Sequence, residues 1–79
     1  MFKILMHKKG NTEVMSFYKR DGAGELIQPT EKIERRFETL QSAQSHLYHE
    51  YSVPLLPDGT AGSSNSINFQ DFRFQIVEA

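Results

Sequence analysis

Two histidines and a glutamate are the residues whose spacing comes nearest to a metal site. His46 and His49 are three residues apart, and Glu50 follows directly. On a helix, imidazoles at this spacing share a face and can hold two positions around a zinc ion. The chain has no cysteine, a third ligand must come from elsewhere, and the order His-x-x-His-Glu is not a zinc-protease motif. We therefore interpret them as solvated helix residues and predict no metal and no cofactor.

The remaining polar residues do not suggest a catalytic arrangement. Catalysis needs a nucleophile beside a base, or paired carboxylates in a cleft, held to a fraction of an ångström. Ser63, Ser64 and Ser66 lie in a Gly/Ser/Asn stretch that is predicted to be irregular. Gly22-x-Gly24 lacks the rest of either nucleotide-binding motif. The sequence therefore predicts a protein that is not an enzyme.

One segment has the period of an amphipathic helix. Its apolar residues recur at spacings of three and four, which places them on one side of a helix. Thr39 has a side-chain oxygen suited to an N-cap, so the helix is predicted over residues 40–51. The apolar stripe consists of Phe37, Leu40, Ala43, Leu47 and Tyr51.

Residues 31–37 fit two interpretations. As a strand, Ile33 and Phe37 share one parity and alternate with charged residues. As a helix, the same two residues extend the apolar stripe by one turn, with Thr30 as the N-cap. We favour a strand that ends at Phe37, because the β-branched Thr39 gains little inside a helix.

Alternating apolar residues predict the strands. Lys9-Gly10-Asn11 tolerates the positive backbone angles of a tight turn, so the first two strands should form a hairpin. Residues 25–28 can pair back onto the second strand before Pro29, which cannot donate to a ladder. The predicted strands cover residues 2–8, 13–19, parts of 25–37, and 70–77.

A polar stretch over residues 58–66 predicts a mobile loop, because it is rich in Gly, Ser and Asn. Val53, Leu55 and Leu56 precede it and should dock on the core.

These elements predict a single α+β domain over residues 1–79. A small antiparallel sheet of three to four strands carries one helix on one face. The predicted core consists of Phe2, Ile4, Met6, Met15, Phe17, Ile27, Phe37, Leu40, Ala43, Leu47, Tyr51, Phe72, Phe74 and Ile76.

Composition narrows the class of protein. The 79 residues are 38% hydrophobic and 24% charged, with a net charge of −1, which is typical of one small folded domain. Small secreted domains are usually stapled by disulfides, so the absence of cysteine favours the cytoplasm. No segment approaches the roughly 20 apolar residues that span a bilayer, and we expect no membrane association.

The uncovered face of the sheet is the predicted binding surface. Leu5, Val14, Tyr18 and Val77 give that face more apolar character than a solvated surface needs. A domain of this size also gains from burying surface in a homodimer. We expect a small interaction or regulatory module that binds an unidentified protein, and a second copy of the chain is one candidate for that partner.

Nucleic-acid binding through the sheet is the alternative. Six basic residues occur in three pairs, and the ring of Tyr18 could stack on a base. Residues 1–38 hold eight of the nine Lys and Arg against six acids, a mild excess that does not by itself imply a polyanion. The three pairs are Lys8 and Lys9, Lys19 and Arg20, and Arg35 and Arg36.

Overall fold

The computed structural model describes residues 1–28, 30–54 and 61–79, and its architecture is α+β. A mostly antiparallel sheet carries one helix, which confirms the predicted fold class. In chain order the elements are β1 (Phe2–Lys8), β2 (Asn11–Val14), β3 (Ser16–Tyr18), β4 (Lys32–Glu34), β5 (Arg36–Phe37), α1 (Leu40–Tyr51), β6 (Ala61–Ser63) and β7 (Arg73–Glu78).

β1 is the central strand of a five-stranded main sheet. It pairs with β7 along one edge, and β6 pairs with the far edge of β7. The other edge of β1 is shared, because β2 pairs with its second half and β5 with its first residues. The turn between β1 and β2 consists of Lys9 and Gly10, whose φ angles are 48° and 84°. These positive angles suit a two-residue hairpin, and the predicted hairpin is confirmed.

The last strand begins later than predicted. β7 starts at Arg73, whereas the sequence suggested residue 70. The chain makes a turn just before it, in which the N–H of Phe72 donates to the carbonyl of Phe69 at 3.0 Å. Phe69 therefore belongs to this turn and not to β7.

A strand break at Met15 directs part of the chain away from the main sheet. The N–H of Met15 donates to the carbonyl of Ile4 at 2.8 Å, and its own carbonyl accepts from the N–H of Arg35 at 2.8 Å. After Met15, β3 pairs with β4 in a separate two-stranded sheet. The prediction of a single strand over residues 13–19 is therefore wrong. β2 cannot continue along β1, because β5 pairs with that part of the β1 edge. We call residues 16–34 the arm.

The arm continues beyond β3 and β4. The N–H of Ile27 donates to the carbonyl of Lys19 at 3.2 Å, and Arg20 and Leu26 form an isolated bridge. The predicted pairing of residues 25–28 onto the second strand is confirmed at these positions. At the tip, one carboxylate oxygen of Asp21 accepts from two N–H groups of the turn, at 2.9 and 3.0 Å.

The helix has its predicted bounds. Thr39 is the N-cap, and its Oγ1 accepts from the N–H of Ser42 at 3.1 Å. Ser52 ends the helix with a φ of 56°, and the N–H of Val53 donates to the carbonyl of Leu47 at 3.1 Å. The strand interpretation of the segment before the helix is confirmed at β4 and β5. No helix among the described residues is long and apolar enough to cross a membrane.

The core lies between α1 and the strands β1, β5 and β7. Two predicted core residues lie outside it: Phe17 is 45% exposed, and Ile27 is half-buried away from the cluster. Both belong to the arm, which leaves the sheet before it could be covered by the helix. Val53 is buried as expected, whereas Leu55 and Leu56 lie outside the described residues. The buried residues are Ile4, Met15, Phe37, Ala43, Leu47, Val53, Phe74 and Ile76, with Phe2, Met6, Leu40, Tyr51, Phe69 and Phe72 packed against them.

The segment predicted as a loop is only partly irregular. Residues 58–60 lie outside the described residues, but 61–63 form β6 and pair with β7, so the loop prediction is wrong there. After β6, the hydroxyl of Ser64 donates to the carbonyl of Tyr51, and the N–H of Asn65 donates to the carbonyl of Ser52 at 2.9 Å. The alternation that predicts strands is weak in a Gly/Ser stretch, which explains why β6 was missed. The mobility of residues 58–66 stays a prediction.

Candidate interaction surface

His46 is half-buried against the core, so its interpretation as a solvated helix residue is wrong. Its ring centroid is 5.3 Å from that of Phe37 and 5.9 Å from that of Tyr51. Burial lowers the pKa of His46 below its usual range, and the nearby charge of Arg35 lowers it further, while Glu50 acts in the opposite direction. The position favours the neutral imidazole.

His49 lies apart from this contact, exposed and edge-on to Tyr48 with ring centroids 5.2 Å apart. Within the described ranges, no group of three or more His, Cys, Asp or Glu is placed to hold a metal ion.

Three of the four residues of the predicted binding surface share the uncovered face of the main sheet. Leu5 lies directly opposite Val14 on the neighbouring strand, and Val77 lies opposite Lys3. All three apolar side chains are half-buried by their neighbours on the sheet. The face is therefore less available for an apolar contact than the sequence suggested.

Tyr18, the fourth predicted residue, lies on the arm instead. It is 45% exposed and faces Lys32 across the β3–β4 ladder, with the Lys32 Nζ 5.5 Å from the ring centroid. The structure thus separates Tyr18 from the sheet that carries the other three.

Among the described residues, the arm carries the densest group of exposed large apolar side chains. Phe17 and Ile33 lie directly opposite each other, 45% and 36% exposed. Leu26, near the tip, is 40% exposed. Because consecutive strand residues point to opposite faces, Phe17 and Tyr18 expose rings on both faces of the arm. Arg35 lies over the Phe17 ring, with its guanidinium carbon 5.9 Å from the centroid.

The basic pairs of the nucleic-acid alternative lie in three places. Lys8 and Lys9 are at the β1–β2 turn, and the Lys8 Nζ lies 5.1 Å from the ring centroid of Phe72. Lys19 and Arg20 are on the outer half of the arm, where Arg20 Nη1 donates to a turn carbonyl at 2.8 Å. This pair follows β3 on the arm, whereas Lys8 and Lys9 lie at a turn of the main sheet.

The third basic pair lies where the arm meets the main sheet. Arg36 Nε is 2.7 Å from the Glu34 carboxylate, and Lys3 Nζ is 3.8 Å from the other oxygen of the same group. Arg35 lies over the rings of Phe17 and Phe37. These cations already have partners within the chain, and the three pairs do not form one basic stripe.

No family model, curated protein or solved structure matches this chain, so no residue role comes to it from another protein. The exposed pair of Phe17 and Ile33 was missed because both residues have the alternation of core positions. The exposure of Ile33 is indicated by the sequence Glu31-Lys32-Ile33-Glu34-Arg35, in which this single apolar residue has charged neighbours on both sides.

Proposed function

We propose that this protein is a non-enzymatic protein-interaction module whose contact surface is the arm. The observation that carries the proposal is the exposure of Phe17, Tyr18 and Ile33 on a sheet of two strands. Clustered apolar side chains of this size on a small domain are typical of a protein contact.

The energetics of a two-stranded sheet support the proposal. An isolated pair of strands is marginally stable in water, and a third strand or a covering surface is needed for independent stability. The described residues place no further strand beside the arm. A partner would supply that cover and would bury the aromatic rings, each of which contributes about 150–250 Å² when fully enclosed.

The charge of the arm argues against a polyanion as its partner. Residues 16–34 contain three basic and four acidic side chains. Phosphate binding needs a local excess of cations and weakens steeply with salt, whereas apolar association does not. Nucleic-acid binding is therefore the outcome that would replace the proposal.

The test compares two substitutions in the whole chain, each of which introduces one negative charge. Phe17→Asp places a charge in the exposed apolar group of the arm, and Ile67→Asp places one at a residue that is 79% exposed on a turn outside it. Both variants should fold, because neither residue belongs to the core cluster. Binding to each immobilised variant is measured with cell lysate from the source and with purified chain.

We expect wild type and Ile67→Asp to retain the same bound protein, and Phe17→Asp to lose it, since a buried unpaired charge is costly. Equal retention by both variants would show that the arm is not the contact. DNA binding that is lost in high salt, with no protein retained, would replace the proposal by the alternative.

A further inference from the structure

We propose that the partner of the arm is a second copy of this chain, which pairs β4 with β4 antiparallel about a two-fold axis at Ile33. The inference rests on the proposed function, because it names the occupant of the same surface. Three independent properties of β4 support it: its free backbone groups, its order of charges and its exposed side chains.

The backbone of β4 presents one free edge. The N–H of Arg35 donates to the carbonyl of Met15, and the carbonyl of Glu31 accepts from the N–H of Lys19 at 3.0 Å. The backbone groups of Glu31 and Arg35 therefore point toward the strand that contains β3. Because backbone groups alternate in direction along a strand, those of Lys32 and Glu34 point away from β3. Among the described residues, β3 is the only strand that pairs with β4.

An antiparallel second copy centred on Ile33 fits that edge in register. The axis places Lys32 of one chain opposite Glu34 of the other, and these are the two residues whose backbone groups point outward. Each such pair can exchange two hydrogen bonds, as in any antiparallel ladder. The two β3–β4 sheets would then form one continuous sheet of four strands.

All charged pairs in this register are of opposite sign, and Glu34 also has ion pairs with Arg36 and Lys3 of its own chain. The segment Glu31-Lys32-Ile33-Glu34-Arg35 pairs with the same segment of the second copy, which runs in the opposite direction. Glu31 then lies opposite Arg35, Lys32 opposite Glu34, and Ile33 opposite Ile33. Opposite charges directly across an antiparallel pair are favourable, and like charges are unfavourable. Charged residues on an edge strand usually prevent pairing. Here their order attracts an inverted copy.

The same register aligns exposed apolar side chains of the two copies on one face of the sheet. Ile33 lies opposite Phe17 within each arm, so the pairing creates a row of Phe17, Ile33, Ile33 and Phe17 across the four strands.

The experiment uses two charge variants of the full chain and their mixture. Lys32→Glu places acids opposite acids in a homodimer, and Glu34→Lys places bases opposite bases. Glu34→Lys also removes the ion pairs of Glu34 with Arg36 and Lys3 within the chain, so its circular dichroism spectrum is first compared with that of wild type. Each variant alone should weaken the dimer by about tenfold or more, since both symmetry-related pairs turn repulsive. An equimolar mixture should form a heterodimer with near wild-type affinity, because every pair is then of opposite charge. Sedimentation velocity over a range of concentrations gives the dissociation constants.

A cross-link checks the register independently. The chain has no cysteine, so Ile33→Cys introduces one thiol. The two copies of residue 33 would form a non-hydrogen-bonded pair, whose Cβ atoms approach to about 4.5–5.5 Å, near enough for a disulfide after small adjustment. Mild oxidation should link this variant into dimers much faster than Tyr48→Cys, whose exposed residue lies on the helix.

The outcomes separate the inference from the proposed function. A monomer at all concentrations, with another protein captured through the arm, overturns the second copy and leaves the function standing. If a dimer forms and neither Phe17→Asp nor the charge variants weaken it, the contact lies outside the arm. That result overturns both the inference and the proposed function. A dimer that is weakened by each charge variant and not restored by the mixture overturns the antiparallel register.

Discussion

Replacement of Leu47 with alanine should lower the free energy of unfolding by about 2–5 kcal/mol. Leu47 is 4% exposed and belongs to the core cluster between α1 and the sheet. The substitution removes buried methyl groups and leaves a cavity that a closely packed surround cannot fully close. A domain of 79 residues has a total stability of about 4–12 kcal/mol, so the loss is a large share of it.

Urea unfolding followed by circular dichroism measures this loss. With a slope of about 1 kcal/mol per molar urea, the midpoint should fall by about 2 M or more. Tyr48→Ala is the matched control, because Tyr48 is the next residue of the same helix and is 52% exposed. Protein concentration must be equal in all samples, since self-association adds concentration-dependent stability. A midpoint for Leu47→Ala within the range of the control would refute the placement of the helix on the core.

Two further predictions follow from contacts of the helix. The folded-state pKa of His46 is lowered, mainly by burial, so the unfolded chain binds its proton more readily. The contribution of the neutral ring to stability is therefore complete above about pH 6.5 and is lost as the pH falls below that value. Thermal unfolding between pH 7.5 and 5 should show a weaker pH dependence in His46→Gln than in wild type, and parallel curves would contradict this. Ser64→Ala should cost about 0.5–1.5 kcal/mol, because its hydroxyl donates to the carbonyl of Tyr51 at the helix end. An unchanged urea midpoint would show that this bond adds nothing.

The sequence alone determined the local elements. The spacing of Leu40, Ala43 and Leu47 predicted the helix, and Thr39 predicted its start, because capping and helical periodicity depend on neighbouring residues. Lys9 and Gly10 predicted the first turn for the same reason. The α+β class followed from these local patterns.

Only the tertiary structure decided where the strands pair. β2 and β5 share one edge of β1, and this competition forces the chain out of the main sheet at Met15. No local pattern distinguishes a covered strand from one that projects, so Phe17 was assigned to the core although it is exposed. The pairing of β6 with β7 was missed because a polar Gly/Ser segment gains its strand conformation from a partner distant in the chain. Local chemistry thus fixed the elements, whereas long-range competition for sheet edges created the arm and the surface on it.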